Sequence, residues 1–208
     1  MGFLVRDFAA IDEASWLRCR ALSFLGSSYF DDVKTARTAF DGEAIQLVAA
    51  NPKPEGMTTP GDDEIIGILD VELWEDDGRP VATIDTVAVH PDHQRQGVAD
   101  ALLGEALDRL RDRGLRWLDA WTRADAEACG WYEAKGFTVD QTYLHVYKGG
   151  SEEVEDPHGD EGFDAPFALG APVKGFFHGP DEDPEVWRAR FARVHQCRRY
   201  LRQLVVPD

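Results

Sequence analysis

The stretch "HPDHQRQGVADALL", residues 90–103, puts small side chains at the start of an apolar helical stripe. A helix N-terminus carries unpaired N–H groups and the positive end of the helix dipole, so it suits an anion. Gly97 and Ala99 leave the backbone bare at alternate positions, and Gln94 and Arg95 ahead of them can supply donors. The chemistry on offer is phosphate binding; the competing reading is a junction that only starts a helix. A dinucleotide G-x-G-x-x-G is excluded because a single glycine is present, and a P-loop because no Gly-Lys-Ser/Thr follows. A second candidate is Asp85, on the strand leading to this turn. Alternation puts it on one face with Val87 and Val89. A carboxylate on an apolar strand is costly unless it is paired or used, so Asp85 is either a hydrogen-bonded structural residue or a working one.

The elements around these residues read as follows. Residues 3–8 form a short strand, and 11–25 a helix that stops at Gly26. A second, shorter helix is expected over 31–40. "AIQLVAA", "IIGILDVELWE" and "VATIDTVAVH" are strands, separated by a Pro- and Gly-rich loop and a turn. Ala99, Leu102, Leu103, Ala106, Leu107 and Leu110 fall on one helical face, and Gly114 ends that helix. "LRWLDAW" is a strand. Thr122 and Asp125 suggest a capping box for a helix over 123–135. Gly136 follows it, and "FTVDQTYLHVYK" alternates as a strand. The β-α-β-α-β order favours an α/β mixed central sheet with helices on its faces.

Residues 149–165 are acidic and almost free of apolar groups, which reads as a linker or loop after a domain at 1–148. Residues 166–208 form a C-terminal extension. Its last helix is expected over 184–204, with Asp183 as cap, Pro184 in the first turn, six arginines and one acid. Such a basic amphipathic helix would dock on the acidic body of its own chain or on a second copy, giving a homodimer; the alternative is a nucleic-acid or anionic-ligand site.

The 208-residue chain has 39 acidic and 22 basic residues, a net charge of −17, and five lysines among the basic groups. This surface repels nucleic acid and anionic membranes and suits a halophilic, high-salt cytoplasm. No apolar run of about 18 residues is present, and the first residues lack a signal-peptide pattern, so a cytoplasmic location is expected. Cys19, Cys129 and Cys197 are odd in number and far apart, which argues for buried thiols over a disulfide framework, and no metal site is expected.

The segment Gln94-Arg95-Gln96-Gly97-Val98-Ala99 resembles the Q/R-x-x-G-x-G/A motif of the Gcn5-related N-acetyltransferases (GNAT). "IDTVAVHPDHQRQGVADALL" resembles that family's strand–turn–helix segment throughout, and "DAEACGWYEAKGF" its later helix and the strand after it. The resemblance covers residues 3–148: in element order at first, in residues over 84–137. It implies a GNAT-like acyl-CoA N-acyltransferase fold whose two central strands splay apart, with acetyl-CoA in the gap. The pantetheine arm would pair with the main chain of Val87, Ala88 and Val89. The pyrophosphate would rest on the amides of Arg95, Gln96, Gly97, Val98, Ala99 and Asp100, with Gln94 beside it. Asp125 stands where many members have an Asn that touches the cofactor arm; here it can also simply cap its helix.

The reaction that the resemblance implies is transfer of acetyl from acetyl-CoA to a primary amine, by direct attack in a ternary complex. An alkylamine with a pKa near ~10 must lose its proton to attack, the oxyanion needs a donor, and the thiolate benefits from an acid. Tyr132 occupies the position of the family's tyrosine and is the acid candidate, its alternative being a core aromatic. Asp85 stands where the family often has Glu and is the base candidate. The branch that acetylates protein N-termini carries Glu on the next strand; here Ala120 stands there, with Asp119 adjacent on the opposite face, which separates this chain from that branch. The loop "GSSYFDD" would form part of the acceptor wall, where Tyr29 and Phe30 with Asp31 and Asp32 suit a cationic amine with an apolar body; the alternative is an ordinary acidic surface loop. His90, His93 and His145 are weaker candidates for phosphate or acceptor contacts. The acceptor is a small molecule or a peptide. The alternative function is a non-catalytic module that senses coenzyme A or binds a partner; retention of Tyr132 and Asp85 favours the enzyme.

Overall fold

The computed structural model describes residues 2–52, 63–76, 79–148 and 175–204. The chain divides into two compact units: Met1–Asp140 with Arg199–Asp208, and Gln141–Arg198.

In the first unit, β1 (Leu4–Asp7), β2 (Ala44–Asn51), β3 (Glu64–Asp76) and β4 (Arg79–Val89) are antiparallel neighbours. β5 (Trp117–Arg123) joins β4 in parallel, and the end of β8 (Arg193–Gln203) lies beside β5. α1 (Glu13–Leu25) covers one face, where Trp16 and Cys19 pack on Val48, Ile65, Ile68 and Ala88. α2 (Val98–Asp112) covers the other face with Leu102, Leu103, Ala106, Leu107 and Leu110, the stripe expected from the sequence. Each fully buried leucine contributes about 1.5–3 kcal/mol, so this stripe is what holds α2 to the sheet. α3 (Ala126–Ala134) follows β5.

Gly67 on β3 lets α2 approach this closely. A Cβ there would lie 2.4 Å from Val98 Cγ1 and 3.1 Å from Leu102 Cδ1. The missing side chain sets the depth of the first turn of α2 against the sheet.

The second unit contains most of β6 (Thr138–Lys148), β7 (Gly175–Gly179), α4 (Pro184–Arg190) and the first part of β8. β6 and β7 are antiparallel, and Leu144 and Val146 form a small core with Trp187, Phe191 and Phe177.

Four expectations change. Residues 31–40 are turn and coil. Their side chains reach inward instead: Asp32 accepts from the buried Arg20, and Arg37 lies on Phe8 and Trp16, so charged anchors replace an apolar helical face. The helix expected over 184–204 is α4, seven residues long, followed by strand β8. Val194, Cys197, Tyr200 and Leu204 fit helical spacing, but β8 lies between β5 and β6, where a strand satisfies backbone groups that a helix would leave unpaired. No basic helix over 184–204 therefore exists to carry the expected homodimer. The Thr122/Asp125 capping box is also absent: Thr122 Oγ1 donates to the Arg123 carbonyl, and Asp125, at the N-cap of α3, makes no side-chain cap bond. Finally, Asp85 does not share a face with Val87 and Val89, because an extra residue in its strand opposite Asp70 and Val71 interrupts the alternation. The acidic stretch 149–165 lies outside the described residues.

Because Val98 fills the space over Gly67, Gly67→Ala should lower stability by about 1–3 kcal/mol through overpacking. Val98→Ala in the same chain should relieve part of that loss, so denaturant unfolding of the double variant should show less than the sum of the single costs.

Candidate active site

The site is built on the parting of β4 from β5. The two strands pair through Ala82–Leu118, Thr83–Asp119 and Ile84–Ala120. Against β3, Ile84 pairs with Val71 but Thr86 with Asp70, so Asp85 is an extra residue, a bulge. Ala82 and Ile84 pack in the α2 cluster, and after the bulge Val87 and Val89 do so while Ala88 packs on the α1 side. The bulge thus breaks the alternation and takes Asp85 out of line with Val87 and Val89.

Beyond the bulge the β5-facing edge of β4 is left open. The His90 amide donates to the Ile66 carbonyl, so by strand alternation Ala88 also turns its N–H and C=O toward β3. The open edge carries those of Val87 and Val89, which narrows the expected pantetheine-pairing set. The Val89 carbonyl already accepts from Ser23 Oγ at 2.8 Å and Gln94 Nε2 at 3.3 Å.

This edge runs into the turn. Pro91–His93 form one 3-10 turn, and Arg95 and Gly97 then adopt positive φ, +60° and +79°. Gly97 is the N-cap of α2 with no side-chain cap bond. Gly97 is left-handed and Val98 begins the right-handed helix, a succession that turns neighbouring amides to one side as in the nests that bind anions. Gln94, Arg95, Gln96 and Gly97 are exposed, so the nest opens outward. Gln96 Nε2 braces it on the Asp92 carbonyl. Asp100 turns its carboxylate away to Lys135 Nζ and Trp131 Nε1, which lowers its pKa through the Lys135 bond and ties α2 to α3. His90 accepts from the Asp92 amide and His93 lies 3.9 Å from Glu64, so both serve local contacts.

Tyr132, on α3, is 4% exposed inside an aromatic cluster. Its ring stacks on Tyr200 at 5.2 Å and meets Trp131 and Phe137 edge-on. Burial is the main cause that raises its pKa well above 10, with smaller contributions from Tyr29, Cys129 and Tyr200, so the phenol stays protonated. Tyr29 reaches the same region: its hydroxyl accepts the Arg123 amide at 2.7 Å, and its ring sits 4.6 Å from the Arg123 guanidinium. Arg123 also donates to the Ser28 carbonyl. Asp125 accepts from Ser28 Oγ at 2.7 Å, which pins the 26–32 loop to the start of α3. Phe30 remains half exposed on that loop. Ser28, Arg123 and Tyr200 escaped the sequence reading. Tyr200 did so because its segment reads as a helix, and a buried arginine at a strand end has no sequence signal.

Asp85 faces the other side. Its Oδ2 accepts from Thr86 Oγ1 at 2.9 Å and Thr38 Oγ1 at 3.2 Å, with Lys34 Nζ at 3.7 Å. Behind it, the wholly buried Asp70 accepts from Arg37 at 2.9 Å. Burial pushes the Asp70 carboxyl up to about 6, against the pull of Arg37. Burial likewise pushes the Cys19 thiol up to about 12, as suits an inert core residue. His145 lies in the second unit, 4.1 Å from Phe176. Among the described residues no group of three or more His, Cys, Asp or Glu could hold a metal. No helix of the described residues is long and apolar enough to cross a membrane.

A family model for the acetyltransferase (GNAT) family matches residues 17–137. The chain belongs to the GNAT family. Among curated relatives, the ribosomal protein bS18-alanine N-acetyltransferase of Escherichia coli (strain K12) is 38% identical over 77 residues, 35% of this chain and 52% of that protein. The mycothiol acetyltransferase of Nocardiopsis dassonvillei is 39% identical over 143 residues, 63% of this chain and 41% of that protein. The chain thus spans about half the length of the first of these relatives and less of the second. Among solved structures, the Escherichia coli ribosomal-protein-S18-alanine N-acetyltransferase superposes with a TM-score of 0.56 at 15% identity, covering 100% of this chain and 97% of that one. The PaiA N-acetyltransferase of Thermoplasma acidophilum, solved with coenzyme A, gives 0.50 at 12% identity, covering 67% and 92%. These likenesses bear on the fold, a mixed α/β GNAT-like sheet.

Asp70 gives this site a pH signature. Its folded pKa of about 6 lies above the ordinary 3.8, so its stabilising contribution is complete below the lower value and is lost as pH rises through the higher. The loss amounts to up to about 3 kcal/mol at ~1.36 kcal/mol per pH unit. Urea unfolding at a series of pH values should show the wild type losing stability relative to Asp70→Asn across that window; a constant gap would contradict it.

Proposed function

We propose that this chain transfers an acetyl group from acetyl-CoA to a primary amine, by direct attack within a ternary complex. The observation that carries the reading is one continuous track: the open edge of Val87 and Val89 leads straight into the nest at Arg95–Gly97. A strand edge suits the amides of a pantetheine arm. A helix-start nest suits a pyrophosphate. Val87 and Val89 would hold the arm, and the amides of Arg95, Gln96, Gly97, Val98, Ala99 and Asp100 the phosphates. Ala88 would line the arm's path without pairing. Gln94 would brace the turn through Val89. Asp125 would act by fixing the Ser28 loop near the arm. When bound, acetyl-CoA supplies an activated thioester.

The residues of this chain then divide the proton work. Tyr132 holds a proton on its hydroxyl for the departing sulfur, and its buried, raised pKa keeps that proton in place until it is needed. Asp85, at the bulge where the strands part, accepts the proton of the incoming ammonium. Lys34, Thr38 and Thr86 hold its carboxylate in place. Tyr29 and Phe30 form the acceptor wall. The acceptor is a small-molecule or peptide amine, the setting is a cytoplasm, and the acidic surface suits high salt.

The test is thiol release from acetyl-CoA with a panel of amines and peptides, at high and low salt. Tyr132→Phe should lower kcat by about a hundredfold while leaving acetyl-CoA binding near wild type. Gly97→Glu, which adds charge and a Cβ at positive φ, should weaken acetyl-CoA binding at least about tenfold by calorimetry. Unchanged affinity in Gly97→Glu would overturn the phosphate assignment. Amine-independent thiol release that survives Tyr132→Phe would overturn the mechanism.

A further inference from the structure

On the sheet face that carries Asp70 and Asp85, β3 continues with Glu72 and Trp74. These residues, with Thr83, Asp119, Trp121 and Arg199, line an open cleft of about 590 Å³ within the first unit. Two features of its lining are unusual. Trp74 and Trp121 are 42% and 41% exposed, large aromatic surfaces on sheet strands. Trp74 is nonetheless fixed, because its indole N–H donates to Thr83 Oγ1 at 2.9 Å. Asp119 is 2% exposed, and Arg199 Nε and Nη2 both go to its Oδ2, at 2.8 and 2.7 Å. Its Oδ1 is buried with no hydrogen-bond partner among the described residues. A buried carboxylate oxygen left unmet costs stability and marks a place where a donor is missing.

The charge around the cleft favours a cation. Arg199 is shared between Asp119 and Asp140, and with Glu72 the three carboxylates outnumber the one guanidinium by two. One cation already sits by Trp121, since Arg199 lies 5.8 Å from that ring. The Trp74 ring offers a further aromatic wall.

We infer that this cleft binds an organic cation, a guanidinium or alkylammonium carried by the acceptor at a distance from its reacting amine. The cation packs on Trp74 and donates to Asp119 Oδ1, with Glu72 adding charge. Strand geometry sets the spacing. Thr83 and Asp85 are two residues apart, as are Asp70, Glu72 and Trp74, so the cleft begins roughly 7 Å from the bulge and extends about as far again. That is the reach of one or two peptide units. The favoured acceptor therefore carries its positive charge one or two residues, or an equivalent alkyl length, from the amine that receives the acetyl group. This assignment of substrate class rests on the transferase reading above, whereas the cation site itself does not.

The probe is N-α-acetyl-arginine amide, which has no free amine to acetylate, with N-α-acetyl-citrulline amide as its neutral counterpart. Binding is followed in ¹H–¹⁵N spectra through the tryptophan indole signals, which also report folding. The arginine probe should bind at least about tenfold more tightly than the citrulline probe. Asp119→Asn, or Trp74→Leu should the Arg199 pair be needed for folding, should remove most of that preference while acetyl-CoA binding stays unchanged. Equal binding of the two probes, or a preference untouched by Trp74→Leu, overturns the inference. If acetyl-CoA binds and the arginine probe does not, the cleft assignment fails alone. If the probe binds and acetyl-CoA does not, the transferase reading fails and the cation site stands.

Discussion

The extra residue at Asp85 is the constraint on which the rest of the first unit depends. Backbone N–H and C=O groups must be paired or solvated, and a parallel ladder between β4 and β5 would pair them along its whole length. The bulge ends that ladder after three residue pairs. It leaves Val87 and Val89 facing away from any strand partner, with the Val89 carbonyl met only by Ser23 and Gln94, and it also takes a carboxylate out of the apolar alternation. The open strand edge and the carboxylate at its root therefore have one cause.

Packing on both faces keeps this opening from closing. α1 and α2 press on β3 and β4 from opposite sides, and Gly67 removes the side chain that would lift α2. On the far side of the gap, α3 is held chiefly by aromatic contacts. The stacked pair Tyr132–Tyr200 and the edge contact of Tyr132 to Phe137 are each worth about 0.5–1.5 kcal/mol beyond their buried area. The partly exposed pair of Asp100 with Lys135 lies in the range where such pairs contribute little. It orients α2 and α3 more than it stabilises them. Tyr132 is thereby both a core residue and the proposed acid. The two readings of this residue are compatible, because the burial that packs the ring also keeps its hydroxyl protonated.

The opposite sheet face has a different character. Asp70, Arg37, Asp85 and Lys34 form a chain of charges, with the Arg37 guanidinium 3.5 Å from the Phe8 ring centre. The segment between α1 and β2 is shaped by these polar anchors, together with Arg20–Asp32 and Ser28–Asp125, and not by an apolar stripe. Loops secured in this way can differ in sequence without disturbing the core.

The sequence by itself determined what depends on local spacing. The stripe of α2, the alternating strands β2 to β6 and the Gly97 turn follow from periodicity and backbone freedom that any fold would have to respect. The motifs around Gly97 and Tyr132 were enough to reach the family. Only the tertiary structure decided the rest. Asp85 is a bulge because β3 has one residue fewer opposite it, a fact about two strands and not about one. Residues 193–203 are a strand because β5 and β6 need a neighbour, although their apolar spacing fits a helix equally well. Residues 31–40 are coil because buried charges on other elements claim their side chains. In each case the deciding partner is distant in sequence, and local propensity, worth tenths of a kcal/mol per residue, yields to pairing and burial worth more.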